Sequence, residues 1–223
     1  MKKLENFYKN LNIILIVVVL SIEGIIIEKF KESRQESETL ALLLGIVLLV
    51  LIFKFLGLAV EKIVERSERI RELILGEDYI EGTWFDMIEI EGEKYYGLYT
   101  NFYKDGEILQ NGDQISADGV PTNSWKTIAS QYDNGTLTMI YQVNYFEVNR
   151  VEQPYGILSI SYSKTLAHKA PVAFTGTYYE MTKEFTTNSF RGFKIKNKNT
   201  LKKLNDPAKR TEAIKELIAS STF

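Results

Sequence analysis

The chain has 223 residues, and its 27 lysines and arginines stand against 29 aspartates and glutamates, which gives a formal net charge of -2. The acidic residues concentrate in region 77–197, with 10 basic and 16 acidic residues, and such a domain repels long nucleic acid. The absence of cysteine and the single histidine exclude disulfides, thiolate nucleophiles and a zinc site.

Two apolar stretches near the N-terminus predict membrane-spanning helices. The first covers about residues 11–27 and contains Ser21 and Glu23; a cleaved signal peptide is its alternative interpretation. The second, residues 39–60, has Lys54 as its only charge and no proline. Its 21 residues from Leu40 would form a helix about 31 Å long, close to the ~30 Å hydrocarbon layer of a bilayer. We therefore predict a transmembrane helical hairpin in residues 1–60.

The charges beside these stretches predict the orientation of the hairpin. The connecting loop, residues 28–38, carries three basic residues, whereas seven flank the other ends of the two spans. Because cytoplasmic loops are rich in lysine and arginine, both chain termini should lie in the cytoplasm and the hairpin in the inner (plasma) membrane. The seven flanking cations are Lys2, Lys3, Lys9, Lys62, Arg66, Arg69 and Arg71.

Residues 61–76 are predicted to continue the second helix as a juxtamembrane helix. Apolar residues recur at alternating steps of four and three, broken only by Ser67, which is the pattern of a coiled-coil seam. The seam favours either self-association of the chain or packing of this helix on the following domain. Its members are Leu49, Phe53, Leu56, Val60, Ile63, Ile70 and Ile74.

Region 77–197 predicts eight β-strands, because short alternating runs rich in Tyr, Thr, Val and Ile are separated by turn residues. Such a series is typical of an antiparallel barrel or sandwich, and an eight-stranded barrel leaves room for side chains or one small ligand. Within the third run, Asn111-Gly112 is a candidate tight turn of its own. The predicted strands are 79–90, 95–103, 108–116, 124–132, 136–148, 156–164, 172–183 and 189–196.

Two segments of this region are near copies: residues 82–87, GTWFDM, match residues 176–181, GTYYEM. A glycine in a small barrel lets the strand bend and lets an aromatic ring from a neighbouring strand fill the space. Gly82-Thr83-Trp84 also resembles the opening signature of lipocalin-like barrels. The fold class is thus membrane-anchored all-β: two transmembrane helices, an eight-stranded antiparallel, lipocalin-like β-barrel over 77–197 and a short C-terminal helix.

The basic tail, residues 198–223, predicts that helix. Asp206 is a suitable N-cap and Pro207 a suitable first helical residue. Ala213, Ile214, Leu217 and Ile218 then form one apolar face, which packs on the barrel or lies along the membrane.

Catalytic patterns are few. His168 lies in a predicted turn and reads as a solvated loop residue, because a general base needs a partner and a pocket. Asp86 and Glu180 occupy equivalent positions in the two near copies and are a weakly supported candidate for a catalytic acid/base pair. Solvated or hydrogen-bonded carboxylates are the simpler interpretation. The chain is therefore predicted to be no enzyme, with no catalytic residues, no metal and no cofactor.

Ligand binding is better supported. If the face with Gly82 and Trp84 points inward, so do Tyr99, Trp125 and Tyr141, on whose rings a base could stack at about 1–3 kcal/mol. Arg191 and Lys126 are candidate phosphate ligands, with Arg150 as a further cation in a turn. The alternative is that the aromatic residues are core and the cations are surface. The other inward positions are Leu137, Met139, Val143, Tyr145, Leu158, Ile160, Tyr162 and Tyr178.

Two N-terminal spans, a charged juxtamembrane helix and a small aromatic barrel beginning Glu81-Gly82-Thr83-Trp84 resemble the Cap15-type effectors of bacterial CBASS, the cyclic-nucleotide antiphage systems. The resemblance implies a barrel that binds a cyclic di- or oligonucleotide made by a partner nucleotidyltransferase. It further implies a homo-oligomer whose ligand-controlled assembly disrupts the inner membrane and causes cell death or arrest, or one that the nucleotide restrains. A lipocalin-like binder of an apolar ligand and a filled barrel serving as an interaction module are the other hypotheses.

Overall fold

The computed structural model describes residues 2–31, 38–104, 107–146, 154–163, 169–180 and 187–221. Arg150, His168, the side chain of Glu180 and the two residues between the second and third predicted strands, Asp105 and Gly106, lie outside the described part. The chain divides into two compact units, Lys2–Leu75 and Gly76–Phe223, each with its own packing.

The first unit is helical. It consists of α1 (Lys2–Lys31), α2 (Glu38–Arg66) and α3 (Glu68–Leu75), and α1 contacts both other helices. Within the described residues, one segment, Lys3–Ile25, is long and apolar enough to cross a membrane by length and composition, with a mean hydropathy of 1.6. The stretch 39–60 lies within α2, but its role as a second span remains a prediction.

The junction of α2 and α3 interrupts the predicted seam. Helix α2 ends at Arg66, and the Arg71 guanidinium donates hydrogen bonds to the carbonyl oxygens of Val64, at 2.9 Å, and Glu65. These bonds satisfy carbonyl groups that a helix end leaves without partners. Val64 is buried, whereas Ile63, a member of the predicted seam, is 53% exposed. The helix predicted across residues 61–76 is therefore interrupted at Ser67, where the predicted seam is also broken, and the role of the seam in self-association stays a prediction.

The second unit contains a closed antiparallel barrel in which each strand pairs with the next and β8 pairs with β1. All eight predicted strands are present. The predicted turn at Asn111-Gly112 is wrong, because Gly112 lies inside β3 and pairs with Tyr99 and Trp125 on its two neighbours. The strands are β1 (Gly82–Ile90), β2 (Glu93–Lys104), β3 (Glu107–Ile115), β4 (Pro121–Asp133), β5 (Thr136–Tyr145), β6 (Tyr155–Tyr162), β7 (Ala173–Glu180) and β8 (Thr187–Lys194).

The half of the barrel where β1 begins is filled by side chains. Trp84 is fully buried there, and its indole Nε1 donates to the carbonyl oxygen of Ile80 at 2.9 Å. Its ring packs edge-on against Tyr162 and Phe174, at centroid distances of 5.1 and 5.6 Å. The inward positions predicted from Gly82 and Trp84 are confirmed, since they belong to this core cluster or pack against it.

Two helices, α4 (Lys198–Leu204) and α5 (Arg210–Ser220), pack on the outside of the barrel. The predicted apolar face is confirmed, and it lies against the barrel. The predicted start at Pro207 is wrong: Asp206 accepts from the backbone N–H of Ala208 in a turn before α5 begins at Arg210. Helix α4, capped by Asn197, was not predicted. The shared cluster contains Phe85, Tyr96, Leu98, Ile115, Ile195, Leu204, Ala213, Ile214 and Leu217.

Candidate ligand-binding site

A cavity of about 100 Å³, partly open to solvent, lies in the half of the barrel where β1 ends and β2 begins. Every strand contributes to its wall, so closure of the barrel creates it. Pockets for drug-sized ligands are usually about 300–1,000 Å³, so this cavity accepts one ring system of a ligand rather than a whole dinucleotide. Its wall consists of Asp86, Ile88, Tyr96, Gly97, Gln110, Gln114, Asn123, Trp125, Tyr141, Val143, Leu158, Tyr178 and Phe190.

A hydrogen-bonded row of polar side chains runs from the cavity into the filled half. Trp125 Nε1 donates to Gln110 Oε1 at 3.0 Å, and Gln110 Nε2 donates to Asn101 Oδ1 at 3.0 Å. Asn101 Nδ2 in turn donates to the Tyr162 hydroxyl at 2.8 Å and to the Ile80 carbonyl at 3.2 Å. Gln110 and Asn101 are buried, and their amides satisfy each other as burial requires.

Asp86 brings a carboxyl group into the cavity wall. It pairs with Gly97 on β2 and with Gly192 on β8, so no neighbouring side chain covers it from either strand. Burial raises the pKa of Asp86 from 3.8 to about 7, against the opposing effect of a hydrogen bond with the Gly97 backbone. Desolvation disfavours the ionised form, so this carboxyl changes its charge near neutral pH.

Tyr99 lies in the core beside the cavity, with its ring centroid 6.0 Å from that of Trp125. Its hydroxyl is buried and has no hydrogen-bond partner in the described structure. Burial and the nearby Asp86 carboxyl raise the pKa of Tyr99 well above its ordinary value, so the hydroxyl keeps its proton. A buried donor without a partner is a place where a ligand atom or a water molecule gains a hydrogen bond.

The structure separates the five residues predicted to bind the ligand. Trp125 and Tyr141 line the cavity, and Tyr99 lies next to it. Lys126 and Arg191 are exposed on the outer surface: Lys126 lies in a depression beside Gln142, and Arg191 in a groove on the far side of the sheet from the cavity. The two predicted phosphate ligands therefore do not line the site that the aromatic residues form.

Three amide side chains of the cavity wall were missed by the sequence reasoning: Gln110, Gln114 and Asn123. Alternation would have found them, because Asn123 is two residues from Trp125, and Gln110 and Gln114 are each two residues from Gly112, which faces Tyr99. Asp86 was considered only as a catalytic group, whereas its position belongs to the cavity.

Comparison of the chain with protein-family models, curated proteins and solved structures found no match. The case for a function therefore depends on the geometry of the chain's own residues.

Proposed function

We propose that this chain is a non-enzymatic membrane-anchored receptor and effector whose β-barrel binds a cyclic di- or oligonucleotide. One base enters the barrel cavity, and the remainder of the nucleotide stays outside it. The bound nucleotide controls self-association of the N-terminal helices in the inner membrane, and the assembly disrupts that membrane as a defence against infection. A partner nucleotidyltransferase supplies the nucleotide.

The observation that carries the proposal is the cavity itself. Aromatic rings of Trp125, Tyr141 and Tyr178 stand in its wall beside amide groups, which is the combination that holds a flat heterocycle by stacking and by hydrogen bonds. Its volume of about 100 Å³ suits a single ring system. Lys126 and Arg191 lie on the outer face of the barrel and take no part in the cavity wall.

The helical unit supports the membrane part of the proposal. Large apolar side chains on both long helices are exposed within the unit, including Val17, Leu20, Leu51 and Leu58. Exposed apolar surface of this extent indicates that lipid or other helices surround these helices. We propose that α2 is a second span, that both termini are cytoplasmic, and that copies of the hairpin associate.

The direction of control has two versions. In the first, the nucleotide promotes assembly and membrane disruption; in the second, it holds the chain inactive until it is removed. Membrane leakage measured on vesicles containing the full chain, with and without the nucleotide, distinguishes the two because the sign of the response is opposite.

The binding test uses the full chain in detergent micelles and a panel of cyclic mono-, di- and trinucleotides, with calorimetry as the readout. We expect saturable binding of one member and a loss of affinity in Trp125→Ala, because its indole lies in the cavity wall. Tyr179→Ala, on the neighbouring exposed face of β7, is the matched control and should bind as the parent chain does. Absence of binding across the whole panel overturns the proposal.

An apolar ligand is the second candidate, and the aliphatic part of the cavity wall favours it. Ile88, Val143 and Leu158 form that part, with Phe190 beside them. Organic extraction of the purified chain followed by mass spectrometry would then recover a stoichiometric lipid. Recovery of none leaves the nucleotide as the candidate that the cavity supports.

A further inference from the structure

The described wall of the cavity contains one side chain of a charged residue type, the carboxylic acid of Asp86. Among the described residues of its wall, Asp86 is the only member of the Asp, Glu, Lys, Arg and His class. It is 7% exposed, so its carboxyl faces the interior rather than bulk water. A ligand that enters the cavity meets this group without a protein cation beside it in the wall.

The polar groups around Asp86 are largely engaged with each other. Gln110 uses its amide oxygen for Trp125 and its amide nitrogen for Asn101. Asn123 donates its amide nitrogen to Gln114. The carboxyl of Asp86 has the Gly97 backbone as its hydrogen-bond partner, which leaves further lone pairs of its two oxygens for a ligand. The Asp86 carboxylate is therefore an acceptor in the cavity wall that a ligand can use.

Glycines flank the carboxyl on both neighbouring strands: the carboxyl lies over Gly97, and the Phe174 ring occupies the space over Gly192. Gly97 and Gly192 occupy the two cross-strand positions, and a Cβ atom at Gly97 would lie 2.8 Å from Asp86 Cγ. The aromatic wall provides stacking surfaces for a planar ring. The paired oxygens of the carboxylate and the aromatic wall together suit a flat heterocycle with two neighbouring N–H groups.

Resting on the proposed function, we infer that Asp86 recognises the Watson–Crick edge of a guanine base of the cyclic nucleotide. Guanine carries N1–H and N2–H₂ side by side, and an ionised carboxylate accepts both in one paired, charge-assisted contact. Adenine offers N6–H₂ beside the N1 lone pair, so one carboxylate oxygen would face another acceptor. The site therefore discriminates between the two purines through this single side chain.

The experiment measures affinity of the full chain in detergent micelles, at about pH 8, for cyclic diguanylate and for cyclic diadenylate. The guanine compound should bind about 5- to 150-fold more tightly, the range of a good paired contact to a base edge. Asp86→Asn should remove this preference, because an amide cannot accept both hydrogens. Glu89→Gln, an exposed carboxylate on the outer face of the same strand, is the matched control and should keep the preference.

The outcomes separate this inference from the proposed function. Tight binding of either nucleotide with no purine preference, or an unchanged preference in Asp86→Asn, overturns the role of Asp86 and leaves the receptor proposal standing. Binding of neither compound, nor of any other cyclic nucleotide, overturns both. Melting curves of Asp86→Asn, followed by tryptophan fluorescence, establish that the variant is folded before its affinity is interpreted.

Discussion

Gly97 faces Asp86 across the β1–β2 pair and has no room for a side chain. A Cβ atom added there would stand 2.8 Å from Asp86 Cγ, closer than real carbon atoms approach without displacing one another. The glycine thus makes room for an inward-pointing carboxyl group in a barrel interior that is otherwise largely aromatic and aliphatic.

Gly97→Ala is therefore expected to destabilise the barrel by about 1–3 kcal/mol, the usual cost of overpacking a filled interior. Both tryptophans of the chain, Trp84 and Trp125, lie in the barrel, so tryptophan fluorescence during denaturation reports on this unit. The double variant Gly97→Ala with Asp86→Ala should lose less stability than the sum of the losses in the two single variants, because the carboxyl that clashes with the added Cβ atom is absent. Additive losses would show that the clash is elsewhere.

A second prediction concerns pH. The Asp86 carboxyl ionises in the unfolded chain near its ordinary value of 3.8, whereas burial raises its pKa in the folded barrel to about 7. Between these two pH values the folded chain binds one more proton than the unfolded chain does. The free energy of unfolding therefore falls as pH rises from about 4 to about 7. Above that range the loss is complete and amounts to at most about 4 kcal/mol.

Asp86→Asn carries no ionisable group, so its stability should lack this decline and exceed that of the parent chain at about pH 8. The measurement is the difference between the two unfolding free energies at pH 5 and pH 8, which cancels the contribution of all other groups. Equal slopes for both proteins would contradict the assignment of the raised pKa to Asp86.

The buried amide row supports a third prediction. Replacing Gln110 by Leu removes the partners of Trp125 Nε1 and of Asn101 Oδ1 at once. Since each polar group left unsatisfied in the interior costs about 1–3 kcal/mol, the variant should lose about 2–6 kcal/mol of stability. Gln131→Leu, at an exposed position of β4, is the matched control and should change the stability by less than about 0.5 kcal/mol.

Alternation along the strands was sufficient to predict the barrel and most of its interior, because burial of one sheet face imposes a period of two on the side chains. It fails in β4, where the register shifts between Thr127 and Ala129. The shift leaves Ala129 and Gln131 exposed and places Tyr132 in the core, the reverse of the order that counting from Trp125 would assign. A β-bulge adds one residue to one strand, and its local sequence carries no distinctive composition.

The cavity, unlike the strand pattern, could not be predicted from the sequence. Sequence alternation identifies Trp125 and Tyr141 as inward, but it gives no measure of which inward side chains fill the space and which leave it empty. That depends on the sum of side-chain volumes at each level of the barrel, such as Trp84 and Phe174 in the filled half. Lys126 and Arg191 were chosen for their charge, and their outward positions follow from the same alternation.

The fourth prediction tests the packing of α5 on the barrel. Ile214 is 1% exposed in the cluster with Phe85 and Leu98, so Ile214→Ala should cost about 2–5 kcal/mol. Ile128→Ala makes the same change at a residue 49% exposed on β4 and should cost far less. A similar small effect of both substitutions on tryptophan-detected unfolding would mean that the tail does not stabilise the barrel.

The last prediction concerns the proposed membrane hairpin. Since the chain has no cysteine, single cysteines can be labelled without background. With a membrane-impermeant maleimide added to intact spheroplasts, Ser33→Cys, in the predicted loop 28–38, should react. Glu5→Cys and Ser220→Cys should react only after permeabilisation, because the excess of lysine and arginine at the span ends away from the loop predicts that both termini lie in the cytoplasm.

The pattern of labelling decides between one span and two. If α1 alone crosses the membrane, Ser33→Cys and Ser220→Cys must behave alike and Glu5→Cys must differ from both. If α2 also crosses, Glu5→Cys and Ser220→Cys must behave alike, since two crossings return the chain to the side on which it began. Labelling of all three in intact spheroplasts, or recovery of the parent chain in the soluble fraction, would contradict the hairpin and with it the effector mechanism.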